Sequence, residues 1–156
     1  MKNKIISLIV TFGGLGNIRH FPGTVGSLAG LFLGVFIIFF FNHNIFLMSF
    51  FILTLIGIFA TDEYLKSSKN NDPQEVVIDE VLGQWIAIAF VPFTASSLIL
   101  AFVIFRILDI GKPFPINKIE AIKGYIGVIG DDILAGVVTA ITVSYTHLTL
   151  PTTRCV

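Results

Sequence analysis

The chain has ten acidic residues, all between Asp62 and Asp132, and six of them sit beside long apolar stretches: Asp72, Asp79, Glu80, Asp109, Asp131 and Asp132. Carboxylates crowded at a low-dielectric boundary repel one another, so they either take up protons or hold a cation. The donors here are oxygens. Cysteine occurs once, at Cys155, and no histidine adjoins the acidic residues. Such a set favours Mg²⁺, or Mn²⁺ in its place, over zinc. Asp72, Asp79, Glu80, Asp109, Asp131 and Asp132 are therefore candidates for a carboxylate cation site.

Each acidic pair also has a plainer reading. Asp131 and Asp132 precede a helix expected to begin at Ile133, where a carboxylate satisfies free amides and the helix dipole. Asp79 and Glu80 open the apolar segment that starts at Val81 and could be a solvated first turn. Two acidic pairs opening two apolar segments, with Asp109 in FRILDIGKP, make a stronger signal together than apart. Arg106 and Lys112 flank Asp109 and would suit a phosphate; their plainer role is interfacial anchoring. Upstream, FPGTVGS at 21–27 places the Thr24 and Ser27 hydroxyls and glycine amides at a helix start, an arrangement able to hold an anion or simply to cap. It lacks the lysine and spacing of a P-loop. Trp85 is expected at a membrane edge, and His20 is either interfacial or a base.

These residues must be positioned by apolar elements. Hydrophobic residues make up 54% of the 156, sixteen of them Phe, and mean hydropathy is +0.90, far above a soluble domain of this size. The bilayer is the expected solvent. Zero net charge and the lack of a basic stripe argue against nucleic acid. The apolar segments 28–41 and 45–60, separated by Asn42, His43 and Asn44, read as a helical hairpin. The start of the chain resembles a signal peptide but lacks a cleavage site, and is expected to be retained.

The run 81–105 decides the topology. A single crossing would put the flanking polar stretches on opposite sides, whereas Lys2, Lys4, Lys66, Lys69, Arg106, Lys112, Lys118 and Lys123 would all prefer the cytoplasmic side. Within it, VPFTASS at 91–97 contains a proline and helix-breaking hydroxyl residues. Two short helices forming a re-entrant hairpin are expected, packed against the first pair. The fold class is thus all-α: a multi-helical integral membrane protein with short transmembrane or re-entrant helices. Residues 1–143 form one domain. The tail 144–156, SYTHLTLPTTRCV, is expected to interrupt the last helix and to be of non-native origin, such as a translated adapter.

Four segments, PGTVGSLAG at 22–30, DPQEVVIDEVLGQW at 72–85, FRILDIGKPFPI at 105–116 and GVIGDDILAGV at 127–137, resemble the phosphatidylglycerophosphatase A family, in the family's order. Tyr125 and Gly130 depart from its usual pattern. The resemblance implies a Mg²⁺-dependent phosphatase of the bacterial inner membrane, multi-pass and with its site facing the cytoplasm, that converts phosphatidylglycerophosphate to phosphatidylglycerol. It places Asp72, Asp79, Glu80, Asp109, Lys112, Asp131 and Asp132 in the site as its catalytic and binding residues, with Asp79, Glu80, Asp131 and Asp132 expected to hold one or two Mg²⁺. Arg106 and Lys112 would grip the phosphate, assisted by Thr24 or Ser27. Water is the favoured nucleophile over a carboxylate that would form an acyl phosphate. The competing reading is a small membrane transporter or scaffold with an acidic ion site, against which stand the absence of an inverted repeat and the location of the charges at segment ends.

Overall fold

The computed structural model describes residues 4–68 and 73–149, with side chains described through residue 146. The chain is all-helical, with no strand among the described residues. The helices are α1 (Lys4–Val10), α2 (Pro22–Phe40), α3 (His43–Ser67), α4 (Ile78–Ala89), α5 (Ala95–Gly111), α6 (Ile116–Glu120) and α7 (Tyr125–Thr149), with a 3₁₀ turn at Leu15–Asn17. Three of them, α2, α3 and α7 as far as Thr146, are long and apolar enough to cross a membrane.

Local chemistry sets most boundaries. Pro22 stands at the start of α2, where a missing amide costs nothing. The Asn42 side chain accepts from the Ile45 amide at 2.8 Å and so caps α3 after a two-residue turn. The break expected at 91–97 is present: α4 ends at Ala89, and the Thr94 hydroxyl accepts from the Ser97 amide at 3.3 Å to start α5. At about 1.5 Å per residue, α4 is about 18 Å long, well short of a hydrocarbon core of about 30 Å.

Helix α4 is the centre of the molecule. Nearly all its residues are buried, and it packs most extensively on α7 and then on α2. Small residues permit this. Along α2, Gly26, Gly30 and Gly34 recur every fourth position, and added Cβ atoms at the first two would come within 2.8 Å of Val77 and 3.1 Å of Val81. Between α4 and α7 the fit is closer: a Cβ at Gly136 would lie 2.3 Å from the Gly83 carbonyl oxygen, and one at Gly83 2.6 Å from that of Asp132. In an apolar solvent, packing of this kind replaces the hydrophobic effect as the force between helices.

The outer faces of α2 and α3 are covered with exposed Phe32, Phe39, Phe51, Leu55 and Phe59. Apolar faces of this kind suit lipid.

Three expectations are corrected. The last helix begins at Tyr125, two turns before Ile133, so Asp131 and Asp132 lie within it and cannot cap it. It also continues through Ser144 to Thr149 instead of breaking at 144; the Ser144 hydroxyl donates to the Phe90 carbonyl at 3.1 Å, beside the α4–α5 turn. Trp85 is no edge anchor: it is 2% exposed, its indole N–H donates to the Gly30 carbonyl at 2.8 Å, and its ring lies 5.1 Å from that of Phe46. The packing of α4 against α2 takes the indole inside.

Candidate active site

Asp79 and Glu80 occupy the first turn of α4, Arg106 and Asp109 the last turns of α5, and Asp131 and Asp132 the second turn of α7. The antiparallel course of α4 and α5 returns the chain to the side it left, so all six line one cavity of about 710 Å³. Thr24 and Lys112 line it as well. Asp72 lies outside the described residues.

Among the cavity's lining residues, one carboxylate oxygen each of Asp79, Glu80 and Asp132 lie within 4.8 Å of one another. The small residues of the helix interfaces make this possible. Gly83 lies one turn beyond Asp79 and Glu80 on α4, and its missing side chain lets the backbone of Asp132 approach. At Gly23 an added Cβ would come within 2.2 Å of Glu80 Oε1, so this glycine makes room for the carboxylate beside the start of α2.

The three carboxylates are poorly compensated. Asp79 and Asp132 are buried, and Glu80 Oε2 is a buried atom without a hydrogen-bond partner. Burial pushes the Asp79 carboxyl well above the ordinary carboxylate range, with the charges of Glu80 and Asp132 adding to the effect. Burial likewise raises Glu80; the nearby Asp109 charge adds to this, and Arg106 opposes it. Three clustered oxygen donors, two from buried residues and one from a half-buried residue, with too little positive charge fit a hard divalent cation.

Asp131 is placed differently. Its carboxylate accepts from Lys112 Nζ at 2.8 Å and from the Asp132 amide at 3.0 Å, and it is not one of the three clustered oxygens. Lys112 also donates to Glu120 at 2.7 Å. Burial by itself would lower the pKa of Lys112, but the hydrogen bonds and charges of Asp131 and Glu120 outweigh it and raise the pKa above the ordinary lysine value. Lys112 is thus a fixed cation. It ends α5 in a left-handed conformation, φ 41°, which for a residue with a side chain costs about 1–3 kcal/mol.

Arg106 pairs with Asp109 one turn away. Its guanidinium also donates to Ser27 Oγ at 3.1 Å and to Thr24 Oγ1 at 3.2 Å. Ser27 is fully buried and does not line the cavity; its hydroxyl donates to the Gly23 carbonyl at 2.8 Å. The two hydroxyls expected to contact an anion therefore hold the arginine that faces the cavity, with Thr24 also on its wall.

Sequence reasoning passed over Arg19, Lys123 and Glu120, which also line the cavity. Arg19 and Lys123 precede α2 and α7, and nothing in their local patterns distinguishes them from ordinary flanking charges. Gln84 was also missed: it lies one turn beyond Glu80, fully buried with both amide atoms unpartnered. Its polar side chain inside an apolar run was the available signal. His20 is exposed and not on the cavity wall.

The family profile of phosphatidylglycerophosphatase A matches residues 8–147. Among curated proteins, the phosphatidylglycerophosphatase A of Haemophilus influenzae is 37% identical over 143 residues, covering 90% of this chain and 87% of its own length. That of Escherichia coli is 35% identical over 143 residues, covering 90% and 81%. A Bacteroides thetaiotaomicron protein provisionally named phosphatidylinositol-3-phosphatase is 36% identical over 144 residues, covering 88% and 90%. No solved structure matches the chain. The profile takes in all the carboxylates gathered at the cavity, and the chain belongs to the phosphatidylglycerophosphatase A family.

Proposed function

We propose that the chain hydrolyses phosphatidylglycerophosphate to phosphatidylglycerol and phosphate, in a Mg²⁺-dependent reaction at the cytoplasmic face of a bacterial inner membrane. The observation that carries this is the cavity: a poorly compensated group of three carboxylates, two buried and one half-buried, beside two fixed cations, at one end of an otherwise apolar bundle. Its family membership supports the reaction class.

Asp79, Glu80 and Asp132 would hold Mg²⁺, with Asp131 next to them on α7. When bound, the ion supplies positive charge to a phosphomonoester that carries close to two negative charges. The rest falls to the side chains. Arg106 and Lys112 bind phosphate oxygens and are already oriented, Arg106 by Asp109, Thr24 and Ser27, and Lys112 by Asp131 and Glu120. Such preorganisation means little rearrangement is needed as charge shifts in the transition state. Water attacks phosphorus, a P–O bond forms to it and the bond to the head-group oxygen breaks, that oxygen leaving with a proton.

The bundle's place in the membrane follows the same reading. Helices α2, α3 and α7 span, while α4 and α5 enter and return as a re-entrant hairpin with Asp79 and Asp109 on one side. The positive charges Lys66, Arg106, Lys112, Lys118 and Lys123 then share the cytoplasmic side.

Phosphate release from phosphatidylglycerophosphate in mixed micelles, with and without Mg²⁺, tests the proposal. Release only with Mg²⁺ is expected. No release under either condition would favour the transporter or scaffold reading. Accessibility labelling of single cysteines at positions 79 and 109 tests the topology, and labelling from opposite sides would overturn it.

A further inference from the structure

Four cations line the cavity, and they fall into two kinds. Arg106 is tied to Asp109, and Lys112 to Asp131 and Glu120. Arg19 and Lys123 are exposed and form no ion pair among the described residues. They come from separate segments, before α2 and before α7, and only the fold brings both to the same cavity. The cavity volume, about 710 Å³, lies within the roughly 300–1,000 Å³ that encloses a drug-sized ligand, and a phosphate ion alone would leave most of it empty. The cavity lining also includes exposed Phe21, Ile110 and Ile122, apolar side chains that suit the root of a lipid.

We propose that Arg19 and Lys123 form a second anion subsite, which receives the phosphodiester linking a phosphorylated head group to its diacylglycerol. The proposal rests on the lipid-phosphatase reading and adds to it a rule of selection. The preferred substrate bears two phosphates, a terminal monoester at the carboxylate end and a diester at the cation pair. A lipid whose only phosphate is a monoester on the diacylglycerol itself fills one subsite and leaves the other empty. Both cations are uncommitted, so binding a diester breaks no existing ion pair, unlike at Arg106 or Lys112.

The experiment compares phosphatidylglycerophosphate with phosphatidate, which lacks the diester, using wild type and the Arg19→Ala, Lys123→Ala double variant in the same micelles. In wild type, kcat/KM favours the diester-bearing lipid. In the variant, KM for that lipid rises about tenfold or more, the scale of losing one charge-assisted contact, kcat changes little, and kcat/KM on phosphatidate stays within about twofold. Arg19→Lys with Lys123→Arg restores most of the preference. Phosphatidylglycerol, which has the diester but no monoester, inhibits wild type competitively and the alanine variant weakly; this arm decides the matter if phosphatidate is not cleaved. Equal losses on both lipids would mean that the two cations serve folding or general attraction to an anionic surface, and would overturn the proposal, as would unchanged kinetics. If wild type releases phosphate from neither lipid, the phosphatase reading itself fails.

Discussion

The two acidic pairs look alike in sequence and are treated differently by the fold. In each, the first carboxylate accepts from the amide of the second, Asp79 from Glu80 and Asp131 from Asp132, at 3.0 Å in both cases. There the similarity ends. Asp79 and Glu80, in the first turn of α4, both contribute to the three-carboxylate cluster. Asp131 and Asp132 divide: Asp132 completes the cluster, and Asp131 turns to Lys112. Successive residues on a helix point about 100° apart, so a pair serves one site only where that site wraps around the helix end. Helix α4 offers such an end; on α7 the pair lies within the helix and faces two neighbours.

The largest expected effect tests membership of the cluster. Asp79→Asn and Asp132→Asn, one from each pair, should each lower kcat by about 10³-fold or more, the upper scale of removing a transition-state electrostatic contact. If Asp132→Asn were as active as wild type, the division of the second pair would be wrong. Asp131→Asn should cost less, about 10–100-fold, in the manner of a residue that orients a partner, and the loss should be largely in KM because Lys112 loses its anchor. A fall in Mg²⁺ affinity equal to that of Asp132→Asn would return Asp131 to the ligand set.

A stability measurement sharpens the same contrast. The Asp79 and Glu80 carboxyls are raised in the folded protein, mainly by burial, so without metal the folded state holds protons that the unfolded chain releases. Their contribution is fully present below the ordinary carboxylate range and is lost as pH rises from there through the raised values. Thermal denaturation without Mg²⁺ should therefore show stability falling as pH increases, with a flatter profile in Asp79→Asn. Added Mg²⁺ should stabilise wild type at neutral pH and Asp79→Asn much less. The opposite slope would show that the carboxylates are compensated within the protein.

The smallest effect concerns the contact that lets the pairs meet. In Gly83→Ala the new Cβ would lie 2.6 Å from the Asp132 carbonyl and as close to the Phe105 ring, both hard to displace. Such overpacking costs about 1–3 kcal/mol, read as a lower Tm. By moving α7 outward it should also weaken the response to Mg²⁺. A Tm loss with Mg²⁺ response intact would show that the cluster tolerates a wider separation.

Much of this was legible in the residues. The apolar runs, Pro22, the Asn42 turn and VPFTASS announced α2, α3 and the α4–α5 hairpin, because proline, capping side chains and hydrophobicity act locally. The carboxylates declared themselves by clustering beside those runs. The start of α7 was missed because Asp131 and Asp132 match a capping signal, while the residues before them, Tyr125 to Gly130, carry weak helical preference and pack closely on α6, where Gly130 meets Ile119 and Gly127 meets Glu120.

The sequence by itself determined the apolar character that suits a lipid solvent, the helical class, the hairpin and the set of acidic residues, since composition and short-range chemistry control each. Tertiary structure alone decided which carboxylates meet, that Thr24 and Ser27 serve Arg106, that Trp85 turns inward, and that Arg19 and Lys123 both reach the cavity. Those outcomes depend on distances between helices, fixed by Gly23, Gly83 and Gly136 at contacts between segments far apart in the chain. A glycine's missing side chain has no meaning until the neighbour that fills its place is known.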